Sequence, residues 1–391
     1  MSQAAKDSDN YRVFILDASK RCEPSAFLFT RAVNFFLLNG YRISGDIDTS
    51  AVILVNSCCV TEDKIAASMA ALEAARVHAG RKRIVLFGCL ASLPLPQLER
   101  EDLICIGPKN LDDLDSYFPH HTSIREVRSN QLPPALYEPG QGLRREEYFV
   151  LIAQGCSNQC SYCNIKRSKG AVRSEPLATI ESQIRRGLSV GVDEFTLIAD
   201  DCASYGQDVG VDLVQLLDHL LALEGSFRLK LGYVFPAFLL KRFDGLRSVF
   251  ATDRISYANI PVQSGSQRIL DLMNRRYAID RVADCVHGLH QAAPHTTLCT
   301  HLLVNFPTET HEDFLKTLHV ADGFDEALFL HYSDNQGTAA SELQPKVPPQ
   351  EVRRRLDIAS EYINQTKRGR GAVIEDFNCA APYNVLRTPG G

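Results

Sequence analysis

No stretch of this 391-residue sequence stays apolar long enough to span a membrane. Met1 to Asn10 is polar and lacks the apolar core of a secretory leader. The expectation is a cytoplasmic protein without a membrane partner. Positive charge is scarce too: 42 Lys and Arg stand against 47 Asp and Glu, a formal net charge of −5. Such a balance gives no global attraction to a phosphate backbone, so nucleic acid would need a local basic patch. The basic pieces Arg353-Arg354-Arg355 and Lys367 to Arg370 read as solvated faces rather than as that patch. Twelve cysteines without a secretion signal argue for a reducing compartment and metal chemistry over disulfides. The length exceeds what one ordinary core accommodates and predicts two or three domains.

Three cysteines, Cys156, Cys160 and Cys163, stand at C-x3-C-x2-C just after the apolar run Tyr148 to Ala153. Thiolates are natural ligands of iron–sulfur clusters, and three of them leave one corner of a [4Fe–4S] cube open for a substrate. A zinc site, a disulfide pair or chance spacing are the alternatives. Zinc favours four ligands in paired C-x2-C units, and no second pair lies nearby.

Upstream, strand-like runs at Tyr11–Asp17, Ala51–Asn56, Arg83–Phe87 and Leu103–Gly107 alternate with helix-like segments. This pattern predicts a small parallel α/β domain over residues 11–120. Cys22, Cys58 and Cys89 each fall at or just past a strand end, the edge where open α/β sheets bind ligands. They read either as a second cluster site or as ordinary buried cysteines. Residues 121–147 are rich in Pro, Gly and polar side chains and read as a linker. Over 148–345 a repeating βα pattern suits a full or partial TIM-type barrel, with chemistry at the C-terminal strand ends. Residues 346–391 read as one helix and a tail.

The cluster spacing, with Tyr162 before the third cysteine, resembles the radical S-adenosylmethionine (SAM) enzymes. The likeness sharpens with Asn56-Ser57-Cys58, Gly88-Cys89, and Cys22 followed by Gly40-Tyr41. It continues through Gly170, Arg173-Ser174, Ala199-Asp200-Asp201, Tyr205-Gly206 and Asp208. Ile260 to Ser266, Leu272 to Arg275, Phe306 to Thr310, and Tyr332-Ser333 with Gly337 to Ala339 complete the series. Together these resemble the radical SAM methylthiotransferases.

The resemblance implies two [4Fe–4S] clusters: one on Cys156, Cys160 and Cys163, and an auxiliary one on Cys22, Cys58 and Cys89. It implies SAM as cofactor and a flavodoxin- or ferredoxin-type electron donor. The catalytic cysteines are then Cys156, Cys160 and Cys163. The SAM contacts it suggests are Tyr162, Arg173, Ser174, Glu194, Asp201, Gln263 and Asn305. From the residues themselves, Gln263 is equally an ordinary strand-to-helix cap. Arg173 is either a carboxylate clamp or a solvated arginine. Cys59 reads as a small packing residue.

The chain departs from the pattern in places. Arg21 and Ser25 replace a glycine and an asparagine around the first cysteine. Asn305 and Thr308 replace glycines, and Asn335-Gln336 replaces an Arg-Glu pair. The resemblance implies a C-terminal TRAM β-barrel that grips the macromolecule, and the tail after Gln350 is not expected to form it. The expected activity is therefore methylthio transfer to an unactivated carbon, consuming two SAM, on a peptide or small-molecule substrate. A tRNA- or ribosomal-protein-modifying enzyme, a radical SAM oxidase and a non-catalytic RNA- or ribosome-binding relative are the alternatives.

Overall fold

The central strands of the N-terminal part are short apolar runs that bury both faces, which suits a parallel sheet covered by helices. The computed structural model describes residues 11–18, 23–127, 148–367 and 371–374. Backbone contacts divide the chain into two units, which meet in sequence near residues 146 and 147.

In the first unit, β1 (Arg12–Asp17), β2 (Arg42–Ser44), β3 (Val52–Ser57), β4 (Arg83–Gly88) and β5 (Leu103–Ile106) form one parallel sheet in the order β2-β1-β3-β4-β5. Every residue of β3 is buried. The helix Glu23–Leu38 packs Phe29 against Phe87 of β4, and Phe36 against Tyr41 and Phe118, at ring separations of 4.9–5.5 Å. The helix Glu62–Val77 starts at Thr61, whose hydroxyl accepts the Lys64 amide at 3.3 Å. That hydroxyl satisfies one of the free donors at a helix start. The edge strand β2 was not foreseen, because its three residues are mostly exposed and lack the apolar signature of the others.

In the second unit, β6 (Tyr148–Leu151) leads into a two-residue ribbon, β7 (Ala153–Gln154) with β8 (Arg173–Ser174). Then follow β9 (Glu194–Ile198), β10 (Arg228–Leu231), β11 (Ile255–Asn259), β12 (Thr297–Val304), β13 (Glu326–His331) and β14 (Gly371–Ile374). These strands and β6 make a seven-stranded sheet in the order β14-β13-β12-β11-β10-β9-β6, parallel at every pairing. The sheet is open, so it forms the partial rather than the full barrel. All loops following strands therefore emerge at one edge.

Neither β13 nor β14 was read from the sequence. After the helix Pro349–Thr366 the expectation was a tail, but Gly371–Ile374 adds the last strand beside β13. Gly371 runs so close to Ala327 that a Cβ there would sit 2.3 Å from its carbonyl oxygen, so a glycine lets this strand dock. Residues 128–147 of the expected linker lie outside the described residues, as do Cys22 and Cys379, whereas Ile124 and Val127 are buried.

Behind β12 the helix His311–Ala321 begins with a capping box in which Thr310 and Asp313 satisfy each other's amides. The Asp313 carboxylate also accepts from Ser266 Oγ at 2.6 Å and from the Arg268 guanidinium. Burial pushes this carboxyl upward, but the hydrogen bonds from Arg268, Ser266 and Thr310 outweigh it and hold the carboxyl well below the usual range. A folded-state value below the unfolded one gives stability that is present above about pH 4 and lost as pH falls. Asp313→Asn should therefore cost about 2–3 kcal/mol in urea unfolding at pH 7. The deficit should shrink on acidification below about pH 4, and an equal deficit at pH 3 would contradict the assignment.

Candidate metal centre

The loop Gly155–Cys163 leaves the C-terminal edge of the sheet and is tied down from the neighbouring strand ends. Gly155 N–H donates to Asp200 at 2.8 Å, and Ser157 N–H to Ser204 Oγ at 3.2 Å. Ser161 N–H donates to the Met273 carbonyl at 2.9 Å and Ser161 Oγ to Leu272 O at 2.8 Å. Asn274 reaches Gln159 O at 2.7 Å, and the Ala340 amide donates to Ser161 O at 2.9 Å. Segments after β9, β11 and β13 thus fix one loop.

Each of the three sulfurs receives donors. Cys156 Sγ accepts from the Asn158 backbone at 3.4 Å and from its side chain at 3.3 Å. Cys163 Sγ accepts from the Ile165 amide at 3.4 Å, and Cys160 Sγ from Arg275 at 3.5 Å. Burial, with the nearby Asp201 carboxyl, pushes the Cys156 thiol up to about 12, and burial with Cys160 does the same for Cys163. A metal binding here displaces protons from the thiols. Among the described residues no three His, Cys, Asp or Glu side chains converge tightly enough to hold a single ion. A cube instead takes one sulfur at each of its corners.

Arg275 is the telling residue. It is 3% exposed, and no carboxylate pairs with it among the described residues. It donates to Tyr277 Oη at 3.0 Å, to Tyr162 Oη at 3.4 Å and to the Pro261 carbonyl, and lies 4.4 Å over the Phe235 ring. A buried cation without a counter-charge is strongly unfavourable. Anionic cluster thiolates beside Cys160 would supply that charge, so the donor set fits an iron–sulfur cluster.

The structure scatters the remaining expected contacts. Tyr162 is half-buried in the cluster loop, its carbonyl accepting from Asn335 at 3.3 Å and its ring edge-on to Phe306 at 6.3 Å. Asp201 is 5% exposed, and its carboxylate already accepts from Asn158 at 2.8 Å, Ser204 at 2.7 Å and the Ala203 amide at 3.0 Å. That makes it a support for Asn158 rather than an open acceptor. Ser174 is taken up by Asp208, at 2.6 Å from its hydroxyl, and Arg173 is exposed on β8. Glu194 is misplaced: it opens β9 at the opposite sheet edge and pairs with Lys230 at 2.7 Å. In sequence it looked close to Ala199–Asp201, but five residues of strand separate the two edges.

Gln263 and Asn305 do reach the C-terminal edge. Both have left-handed φ, +68° and +63°, and Gln263 pairs its backbone with His301 and Leu303 of β12. Beside them lies a pair missed in the sequence. Asn259 Nδ2 is 2.8 Å from His301 Nε2, and burial lowers His301 to about 4, so the ring is neutral. The Oδ1 atoms of Asn259 and Asn305 are buried without a hydrogen-bond partner among the described residues. Each costs about 1–3 kcal/mol until a ligand donor meets it. A histidine among the buried residues of β12, and an asparagine directly before Ile260-Pro261, were the available signals.

In the first unit Cys58 and Cys89 are buried just past the paired ends of β3 and β4, while Cys22 lies outside the described residues.

Residues 150–321 match the family model described as the Radical SAM superfamily. A probable threonylcarbamoyladenosine tRNA methylthiotransferase of Pyrococcus abyssi is 29% identical over 78% of this chain and 73% of its own length. A tRNA-2-methylthio-N(6)-dimethylallyladenosine synthase of Clostridium botulinum is 28% identical over 86% and 78%. The ribosomal protein uS12 methylthiotransferase RimO of Thermodesulfovibrio yellowstonii is 27% identical over 96% and 87%. In structure, the radical SAM methyltransferase TsrM of Kitasatospora setae superposes with a TM-score of 0.55 over 82% and 72%, at 14% identity. The cobalamin-dependent SAM radical enzyme OxsB gives 0.54 over 95% and 59%, at 11% identity.

These relatives overturn the expectation of a peptide or small-molecule substrate, since their names specify tRNA and a ribosomal protein. Net charge misled there, because it constrains the whole surface and not the one face that meets a substrate.

Arg275→Met should make the reconstituted cluster's midpoint potential more negative, because the nearest cation is gone. Arg275→Lys should restore part of the shift. An EPR-monitored redox titration reads this, and equal potentials in all three proteins would remove Arg275 from the site.

Proposed function

This chain is a radical SAM enzyme related to the methylthiotransferases, and from that premise we propose that it transfers a methylthio group to a tRNA base. Its cofactors are [4Fe–4S] clusters and SAM. The buried Arg275 beside Cys160 supports the cluster, because anionic thiolates next to it balance that cation, and the tRNA methylthiotransferases among the relatives support the substrate.

Cys156, Cys160 and Cys163 would hold one cluster, and Cys22, Cys58 and Cys89 an auxiliary one. When bound, the first would supply the electron for SAM cleavage, and the second the sulfur for transfer. The protein's own part is placement. Asp201 and Asn158 hold the Cys156 side of the loop, and Arg275 holds the Cys160 side while lying over Phe235. Tyr162, Phe306 and Tyr332 form an edge-on aromatic series that shields this region from water. Gln263, Asn305, Asn259 and His301 offer polar groups at the same strand edge, suited to a ribose or a base.

A ribosomal-protein substrate is the second reading. The uS12 enzyme favours it, being the relative that aligns with 96% of this chain.

Anaerobic reconstitution should give about eight irons per chain. Replacing Cys156, Cys160 and Cys163 with Ala should halve the iron and abolish SAM cleavage. Replacing Cys22, Cys58 and Cys89 should halve it yet leave 5′-deoxyadenosine formation. Mass spectrometry of undermodified tRNA, and of uS12, after incubation with SAM and reductant assigns the substrate. A gain of one sulfur and one CH2 on the tRNA supports the first reading, and the same gain on uS12 alone supports the second. Loss of hydrogen without sulfur would point to an oxidase.

A further inference from the structure

β11 and β12 pair in parallel, with Asn259 opposite Cys299. Alternate residues of a strand share a face, so His301 stands on the same face as Cys299, one step further along. From there its ring meets the Asn259 side chain, Nε2 to Nδ2, at 2.8 Å. The backbones behind both side chains are tied down. The Asn259 carbonyl accepts the Val234 amide, the Ile260 amide donates to the Cys299 carbonyl, and the His301 carbonyl accepts the Gln263 amide, each at 2.8 Å.

A side-chain amide nitrogen can only donate, so His301 Nε2 accepts. In the neutral ring the proton then sits on Nδ1, which has no hydrogen-bond partner among the described residues. Asn259 is 3% exposed, and with Nδ2 spent on the ring its Oδ1 is buried without a partner among the described residues. His301 keeps part of its surface open, and the Tyr233 ring stands edge-on to it at 5.5 Å. The pair thus offers one acceptor and one donor beside an aromatic wall, and the fold uses neither. Val234 leads directly into Phe235, whose ring lies 4.4 Å from the Arg275 guanidinium. A ligand on the pair is therefore close to the place where the cluster loop is fixed.

The chemistry selects the ligand. Burial alone acts on the His301 ring, with no carboxylate or cation bearing on it. A carboxylate or phosphate set here would be buried without a counter-charge. A neutral base with an exocyclic amine supplies what the pair lacks, because the amine donates and the neighbouring ring nitrogen accepts. We propose that Asn259 and His301 read the substrate base, Asn259 Oδ1 accepting from the exocyclic amine of an extruded nucleobase such as adenine and His301 Nδ1 donating to a ring nitrogen of it. This inference rests on the tRNA reading and adds to it the residues that choose the base.

The test is equilibrium dialysis of labelled adenosine, and of purine riboside, which lacks the amine, against the reconstituted full-length chain under anaerobic conditions without reductant. Saturating SAM is present, so that the cofactor's own place is filled. Adenosine should bind about tenfold more tightly than purine riboside. Asn259→Leu should erase that preference, and His301→Phe should weaken both nucleosides alike. Equal binding of the two nucleosides by the unaltered chain overturns the proposal, and this comparison stands even if circular dichroism shows a variant to be misfolded. A preference that survives Asn259→Leu overturns it as well. Adenosine binding seen only when SAM is left out would give the pair to the cofactor and also overturn it. If the preference appears and is erased as expected while tRNA gains no methylthio group, the base site stands and the tRNA reading fails. If Asn259→Leu modifies tRNA as fast as the unaltered chain, the pair is not the reader and the tRNA reading stands.

Discussion

One buried guanidinium organises the second unit. Arg275 has no carboxylate partner among the described residues, yet it is enclosed by Tyr162, Tyr277, Phe235, the Pro261 carbonyl and the Cys160 sulfur. A cation in that position is tolerable only if negative charge gathers beside it. The rest follows from that need. The loop after β6 must pass next to the turn after β11, so the strands must be parallel and their ends must share an edge. The hydrogen bonds that Ser161 donates to the Met273 and Leu272 carbonyls, and the one Asn274 donates to Gln159, complete the attachment.

Much of this was legible in the sequence, and what was not has identifiable causes. Apolar runs marked most strands of both sheets because parallel strands buried on both faces carry a strong local signal, although β13, whose Ala327 to Leu330 is such a run, was not read. β2 and β14 lack that signal: one is exposed, and the other is a short run beginning at a glycine. Arg275 was visible as a motif residue, but its role depends on partners 113 and 115 positions away, which no local pattern encodes. Glu194 was misjudged because sequence proximity to Asp201 says nothing about which end of a strand a residue occupies. Cys59 was legible as a packing residue, and it is fully buried in the apolar cluster with Leu72, Ala75 and Leu90.

The C-terminal helix shows how a part of the chain without motifs can still shape the site. Arg355, 3% exposed, pairs with the fully buried Glu309 at 2.9 Å and with Glu351 at 2.8 Å. Glu309 in turn accepts the Asn305 amide at 2.7 Å. Removing either partner of such a pair leaves a buried charge exposed to nothing that balances it, which is far costlier than losing a surface ion pair. The helix is therefore a structural continuation of the sheet edge rather than an appendage.

Asn305 and Thr308 hold left-handed backbone where glycine would be relaxed. Each such residue costs of order 1–3 kcal/mol. The Thr308 amide to the Pro345 carbonyl at 2.8 Å, the Arg268 bonds to Thr308 and the Glu309 anchor keep them there. A glycine loop would wander among many shapes and freeze only on meeting its ligand. This one is frozen beforehand, so capture of a ligand against it carries little ordering entropy, and the strain is borne by the folded protein at all times, bound or free.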